Sequence, residues 1–153
     1  MTKPPLLRES IQPRLDGIMK ELETLRMLAA RGAPEFDRKD ETFSLAQHHL
    51  RLALEGVFHI ASHILSRLNG GRAREYRELA VKLGEHGIVP RDFAETVLVK
   101  MAGYRNRLTH LYAAITPSEL HTILTHRLPD IEQFLVYVKK VIEHPQQFDL
   151  TIE

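Results

Sequence analysis

The sequence contains no cysteine. Disulfides, thiolate metal centres and cysteine nucleophiles are therefore excluded. An excess of one charge is also lacking, since 21 Lys and Arg residues balance 20 Asp and Glu residues to give a formal net charge of +1. Any nucleic acid would have to be bound by a local basic patch, because the chain as a whole carries no strongly basic field.

Segments typical of membrane or exported proteins are missing as well. No apolar run is long enough to cross a bilayer, and the stretch Met1–Pro5 has no signal-peptide core. These absences predict a cytoplasmic protein with no membrane partner. The length of 153 residues, with 43% hydrophobic and 27% charged residues, is typical of one globular domain.

Hydrophobic periodicity predicts an all-α fold, a bundle of about five helices without strands. The expected helices cover about 6–31, 42–68 and 73–85, with a fourth beginning at Pro90 and a fifth beginning at Thr116. They form a single helical domain over 1–143, followed by a loose polar tail over 144–153.

Local signals refine these boundaries. Thr116-Pro117-Ser118-Glu119 combines an N-cap, a first-turn proline and a glutamate three residues after the cap, so it predicts a helix start. Pro13 is expected to break or delay the first helix, and Pro129 to kink or split the fifth.

The second predicted helix has an unusually wide apolar face. Two neighbouring apolar stripes run along it, Ala53-Val57-Ile60-Ile64 and Leu54-Phe58-Ala61-Leu65. This width exceeds what a surface helix needs. The helix is therefore either the centre of its own bundle or shared with a second subunit.

The strongest chemical signal is Arg105-Asn106-Arg107-Leu108-Thr109-His110-Leu111-Tyr112 in the fourth helix. The guanidinium of Arg105 suits phosphate oxygens, and the imidazole of His110 can take up and return a proton. Asn106 lies four residues before His110 and can orient its ring. This set of groups suits phosphodiester chemistry without a metal.

Helical geometry raises a difficulty for that motif. Arg105 and His110 are five residues apart and diverge by roughly 140° on a regular helix. Either the helix loosens near its end, or two copies face each other across a two-fold axis and form a composite site. Gly103, just before the motif, costs about 1 kcal/mol relative to alanine inside a helix. A close approach by another backbone or a ligand would account for it.

Two weaker groupings accompany the motif. A basic cluster near the second interhelical turn, together with one arginine of the motif, is a candidate for RNA-backbone binding or an ordinary solvated face: Arg72, Arg74, Arg77, Lys82 and Arg107. Glu55, His59 and His63 follow one another at four-residue steps, a spacing that zinc accepts. No fourth ligand is evident, so a polar seam is favoured and no metal is expected.

From Leu50 to about Ile142, the chain resembles the HEPN domains of the HepT toxin type. The similar segments are Leu52-Ala53-Leu54-Glu55-Gly56, Ile60-Ala61-Ser62-His63-Ile64, Tyr76-Arg77-Glu78, Gly87-Ile88-Val89-Pro90, Met101 to Leu108, His110-Leu111-Tyr112 and Asp130 to Leu135. The first helix matches only in type, and the tail after Glu143 does not match.

The resemblance implies a homodimeric bundle in which two motifs line one cleft. It implies a metal-independent ribonuclease toxin without a cofactor, acting on tRNA or mRNA, with Arg105, His110 and Asn106 as the catalytic residues. The family's usual partner is a small nucleotidyltransferase antitoxin, which transfers AMP to the tyrosine that corresponds to Tyr112. The alternative is a non-catalytic subunit that binds nucleotide or substrate for a nucleotidyltransferase. The intact motif favours the enzyme.

Overall fold

The computed structural model describes residues 3–37, 40–110 and 114–153. Within these ranges the chain is helical, and its only strand-like feature is an isolated bridge. The prediction of an all-α fold is confirmed. The α-helices are α1 (Arg8–Ala29), α2 (Glu41–Leu65), α3 (Tyr76–Glu85), α4 (Arg91–Phe93), α5 (Val99–His110), α6 (Pro117–His126) and α7 (Leu128–Glu143). Two short 3-10 helices span Ala33–Glu35 and Pro145–Phe148.

Helix α2 is the centre of the bundle. All eight residues of its two apolar stripes are at most 1% exposed within the single chain. It packs on α1, α3, α5 and α6, and a Cβ added at Gly56 would come within 2.8 Å of the Ile18 side chain of α1. The wide apolar face is therefore explained by the bundle itself and gives no argument for a second subunit.

The start signal at Thr116 is confirmed, because its side chain accepts a hydrogen bond from the Glu119 amide at 3.1 Å. The fifth predicted helix is split, as the proline signal predicted, into α6 and α7 with Arg127 between them. Pro129 lies in the first turn of α7, where a missing N–H removes no helical hydrogen bond.

The break expected at Pro13 is wrong. Helix α1 continues through this proline. Pro13 is exposed and close to the helix start, so solvent can reach the carbonyl group that the proline leaves unpaired. Packing of the buried face of α1 against α2 then outweighs one lost backbone hydrogen bond.

The loose tail expected after Glu143 is also wrong. The amide of Leu6 donates to the carbonyl of Thr151 at 2.8 Å, and the amide of Glu153 donates back to the carbonyl of Leu6 at 2.9 Å. Leu150 is only 4% exposed. One apolar anchor and paired backbone groups thus fix a segment whose composition is mostly polar.

The N-terminal segment is also bound to the end of α2 through His63. The amide of Leu7 donates to Nε2 of His63 at 3.1 Å, which requires a neutral imidazole. Burial, followed by the charges of Arg67 and Arg14, lowers the pKa of His63 from 6.5 to about 4.

This histidine predicts an acid-sensitive stability. The unfolded chain binds a proton at His63 near pH 6.5 and the folded chain only near pH 4. The contribution of His63 to the free energy of unfolding is therefore complete above pH 6.5 and is lost as the pH falls from about 6.5 to about 4. His63→Gln, which cannot titrate, should reduce the fall in unfolding free energy between about pH 7 and about pH 5. Urea denaturation at both pH values measures this difference. An identical pH dependence in both proteins would contradict the assignment.

No helix among the described residues combines the length and the hydrophobicity needed to cross a membrane.

Candidate active site

The motif lies on a long helical segment with a local irregularity. Helix α4 continues directly into a π-helical turn over Ala94–Leu98 and then into α5. Hydrophobic periodicity does not predict this turn, which shifts the register of the residues that follow it. Helix α5 is a regular α-helix as far as His110, so no loosening brings His110 towards Arg105 within the described part of the motif.

The first residues of α3 and the last turns of α5 border one open groove of about 640 Å³. Its lining residues are Arg74, Glu75, Tyr76, Arg77, Arg105, Asn106, Arg107 and His110. All three predicted catalytic residues, Arg105, Asn106 and His110, therefore face a common space despite their divergence around the helix. The groove also contains two of the predicted RNA-binding residues from the α3 side, Arg74 and Arg77.

Arg105 is the most enclosed of the three predicted catalytic residues. Only 18% of its side chain is exposed, and one terminal nitrogen, Nη2, lies 3.5 Å from Oε1 of Glu55. The guanidinium carbon is 4.3 Å from the centre of the Tyr76 ring. The Nε atom is buried and has no hydrogen-bond partner among the described residues. The other terminal N–H groups of the guanidinium are left to bind a ligand in the groove.

His110 and Asn106, in contrast, are exposed at the groove. They are four residues apart and lie on one stripe of α5, as the spacing predicts. One chain thus provides a largely enclosed cation and an exposed titratable ring. An exposed imidazole keeps both of its nitrogens accessible for proton exchange with a substrate.

The predicted basic cluster divides into two groups. Arg74 and Arg77 are exposed and line the groove, and Arg72 is exposed but outside its lining. Lys82 donates to the carbonyl oxygens of Gly70 and Arg72 at 2.8 and 2.7 Å. This lysine therefore stabilises the turn before α3, a contact that charge clustering in the sequence does not indicate.

Arg107 connects α5 to α6. Its guanidinium forms a two-point ion pair with Glu119, with one N–H···O distance of 2.9 Å, and also donates to the carbonyl of Ala114 at 2.8 Å. The hydrogen bond between the two side chains raises the pKa of Arg107 and lowers that of Glu119. Arg107 lines the groove, but its donors are engaged within the chain.

Several predictions concern neighbouring positions. Tyr112 lies outside the described residues. A Cβ placed on Gly103 would meet no atom within 4 Å, so the close neighbour expected there does not come from the described part of this chain.

His63 binds the N-terminal segment, and Glu55 pairs with Arg51 and Arg105. Among residues 3–37, 40–110 and 114–153, no three potential metal ligands group together.

A comparison with protein families decides the classification. The family model described as Ribonuclease HepT-like matches residues 18–138. The chain belongs to the HepT-like ribonuclease family. The matched range contains α2 to α6, most of α1 and α7, and the whole groove, so the resemblance inferred from the residue pattern is confirmed.

Known relatives of this HepT-like chain include a tRNA nuclease HepT from Aphanizomenon flos-aquae (strain 2012/KM1/D3), 26% identical over 131 residues, which are 86% of each chain. A solved tri-AMPylated HEPN toxin from Shewanella oneidensis, in complex with MNT antitoxin, superposes with a TM-score of 0.75 at 21% identity over 84% of this chain and 96% of that one. A toxin–antitoxin structure with AMP-PNP gives 0.72 at 21% identity over 84% and 95%. These structures share the fold.

Proposed function

We propose that this HepT-like chain is a metal-independent endoribonuclease, the toxin of a toxin–antitoxin pair, with tRNA as the preferred substrate class. The observation that carries the proposal is the shared groove, which joins Arg105, Asn106 and His110 to the exposed cations Arg74 and Arg77. Family membership and the tRNA nuclease from Aphanizomenon support the reaction and the substrate.

The chemistry requires no group beyond these side chains and the RNA. The 2′-oxygen attacks the phosphorus, the bond to the 5′-oxygen breaks, and a 2′,3′-cyclic phosphate and a 5′-hydroxyl result. His110 accepts the 2′-proton, and a second His110 protonates the departing 5′-oxygen. Arg105 stabilises the charge that develops on the phosphate oxygens. Arg74 and Arg77 bind the backbone on either side.

A second copy of the chain supplies the second histidine in this scheme. The support is geometric: Arg105 is enclosed, His110 is exposed, and open space at Gly103 allows another backbone to approach the same face of α5. A two-fold axis along this face would bring both motifs into one cleft. The apolar face of α2 takes no part, because it is buried within each chain.

A subunit-mixing experiment tests the shared cleft. If each cleft needs His110 from both copies, wild-type protein exchanged with His110→Ala should retain activity in proportion to the square of the wild-type fraction, about one quarter in an equal mixture. Independent sites would leave about one half. RNA cleavage measured across a series of mixtures, with light scattering to follow the dimer, separates the two cases. A linear decrease, or a monomer that cleaves RNA, would refute the composite site.

The proposed partner is a nucleotidyltransferase antitoxin. The support is the Shewanella oneidensis HEPN toxin, which is AMPylated and bound to MNT antitoxin. For this chain we propose Tyr112 as the AMP acceptor, since it follows His110 by two residues. A negative phosphodiester and a nucleoside added there would compete with the substrate phosphate for Arg105.

A further inference from the structure

A column of three side chains from three helices ends at Arg105. Phe58 of α2 is fully buried and stacks on Tyr76 of α3, with the ring centroids 5.0 Å apart and the planes inclined by 20°. The guanidinium of Arg105 lies over the same tyrosine ring at 4.3 Å. The Tyr76 ring therefore contacts a buried aromatic ring and the guanidinium at the same time.

The edge of the guanidinium is fixed separately. Glu55 Oε1 lies 3.5 Å from Nη2 of Arg105 and 3.2 Å from Nη1 of Arg51. Arg51 is one turn before Glu55 on α2, so it anchors the carboxylate beside Arg105. Arg105 is therefore held on its face by an aromatic ring and at its edge by a carboxylate, which leaves its other terminal N–H groups for the groove.

We propose that Tyr76 and Glu55 are positioning residues for Arg105, and that the Phe58–Tyr76 stack gives the guanidinium a fixed plane facing the scissile phosphate. The inference rests on the proposed function, because it assigns a purpose to the orientation of Arg105. A free arginine has many rotamers and would have to be ordered during each turnover. The column removes that requirement before the substrate binds.

The face of the Tyr76 ring, and not its hydroxyl group, positions the Arg105 guanidinium. Two substitutions of Tyr76 therefore form a matched pair. Tyr76→Phe keeps the platform and should retain kcat within about twofold. Tyr76→Leu removes it and should lower kcat by about 10- to 100-fold, with a much smaller change in KM, because misplacement affects the transition state more than substrate binding. Glu55→Gln should lower kcat by about tenfold for the same reason.

General destabilisation is separated from positioning by Phe134→Leu, which alters a fully buried ring of α7 outside the groove. That variant should lose thermal stability and keep the wild-type kcat per folded molecule. If Phe134→Leu lowers kcat as much as Tyr76→Leu does, the effect of Tyr76 is general destabilisation and the inference fails.

A readout independent of catalysis completes the test. The Nε–Hε signal of Arg105, assigned by its loss in Arg105→Lys, should show a ring-current shift and slow exchange in heteronuclear NMR because the group is buried beside Tyr76. The signal should persist in Tyr76→Phe and move to a solvent-exposed value in Tyr76→Leu. Wild-type protein that cuts no RNA refutes the proposed function, and the NMR series then decides the positioning alone. A Tyr76→Leu variant with wild-type kcat or an unchanged Arg105 signal overturns it.

Discussion

Replacing His110 or Arg105 by alanine is expected to abolish most RNA cleavage while the fold is kept. Loss of a general acid–base residue typically reduces a rate by about 10²–10⁴, and loss of a preorganised group that stabilises developing charge by about 10²–10³. His110 is exposed, so His110→Ala should leave thermal stability nearly unchanged. Arg105→Ala leaves Glu55 without one of its two cationic partners, which should lower stability slightly.

Matched variants outside the groove control for the loss of a charged side chain and for differences between protein preparations. His126 and Arg91 are exposed and lie outside the groove lining, so His126→Ala and Arg91→Ala should cleave at the wild-type rate. Initial rates on one labelled tRNA, with circular dichroism of each variant, make the comparison. Wild-type rates in both His110→Ala and Arg105→Ala would assign the cleavage to another site or to a contaminant.

AMP transfer to Tyr112 is expected to silence the enzyme about as completely as His110→Ala does. Tyr112 follows Arg105 by seven residues in the sequence, the spacing of two helical turns. A phosphodiester on the tyrosine oxygen would form a charge-assisted hydrogen bond with the Arg105 guanidinium and exclude the substrate phosphate. Tyr112→Phe lacks the acceptor oxygen, so it should stay active after incubation with the antitoxin and ATP.

Tyr104→Phe is the matched control for that experiment. Tyr104 is partly buried and lines a separate pocket between α2, α5, α6 and α7 rather than the groove, so this variant should still be modified and silenced. Intact-mass and peptide mass spectrometry, run beside the cleavage assay, locates the AMP group. Modification only at Tyr104 or Tyr76, or silencing of an unmodified protein by binding alone, would contradict the proposed switch.

Much of the architecture could be predicted from the sequence, because caps and apolar stripes act within a few residues of their own position. The Thr116 side chain caps the helix that it begins, and the two stripes of α2 lie in the core. The break predicted at Pro13 was wrong because the free-energy cost of a proline in a helix depends on whether solvent reaches the unpaired carbonyl. Packing determines that access. The loose tail predicted after Glu143 was wrong because the segment is held by contacts that are distant in sequence. These are the burial of Leu150 and the backbone pairing with Leu6.

The candidate site was predictable in its members and less so in their arrangement. Residue chemistry selected Arg105, Asn106 and His110, and the groove places them together. The pairing of Arg107 with Glu119 and the bonds from Lys82 to a turn could not be predicted, because a positive charge in a sequence does not specify its partner. Nor does the sequence indicate that Tyr76 packs against both Phe58 and the guanidinium of Arg105.

The end group of the RNA product tests the central claim most directly. Wild-type protein should cleave a short tRNA-derived substrate in excess EDTA and leave a 2′,3′-cyclic phosphate, visible by mass spectrometry, and a 2′-deoxy substitution at the scissile nucleotide should block the cut. These results require an internal nucleophile activated without a metal, which is the chemistry assigned to His110 and Arg105. Cleavage that EDTA abolishes, or that proceeds at the 2′-deoxy position, would contradict the account.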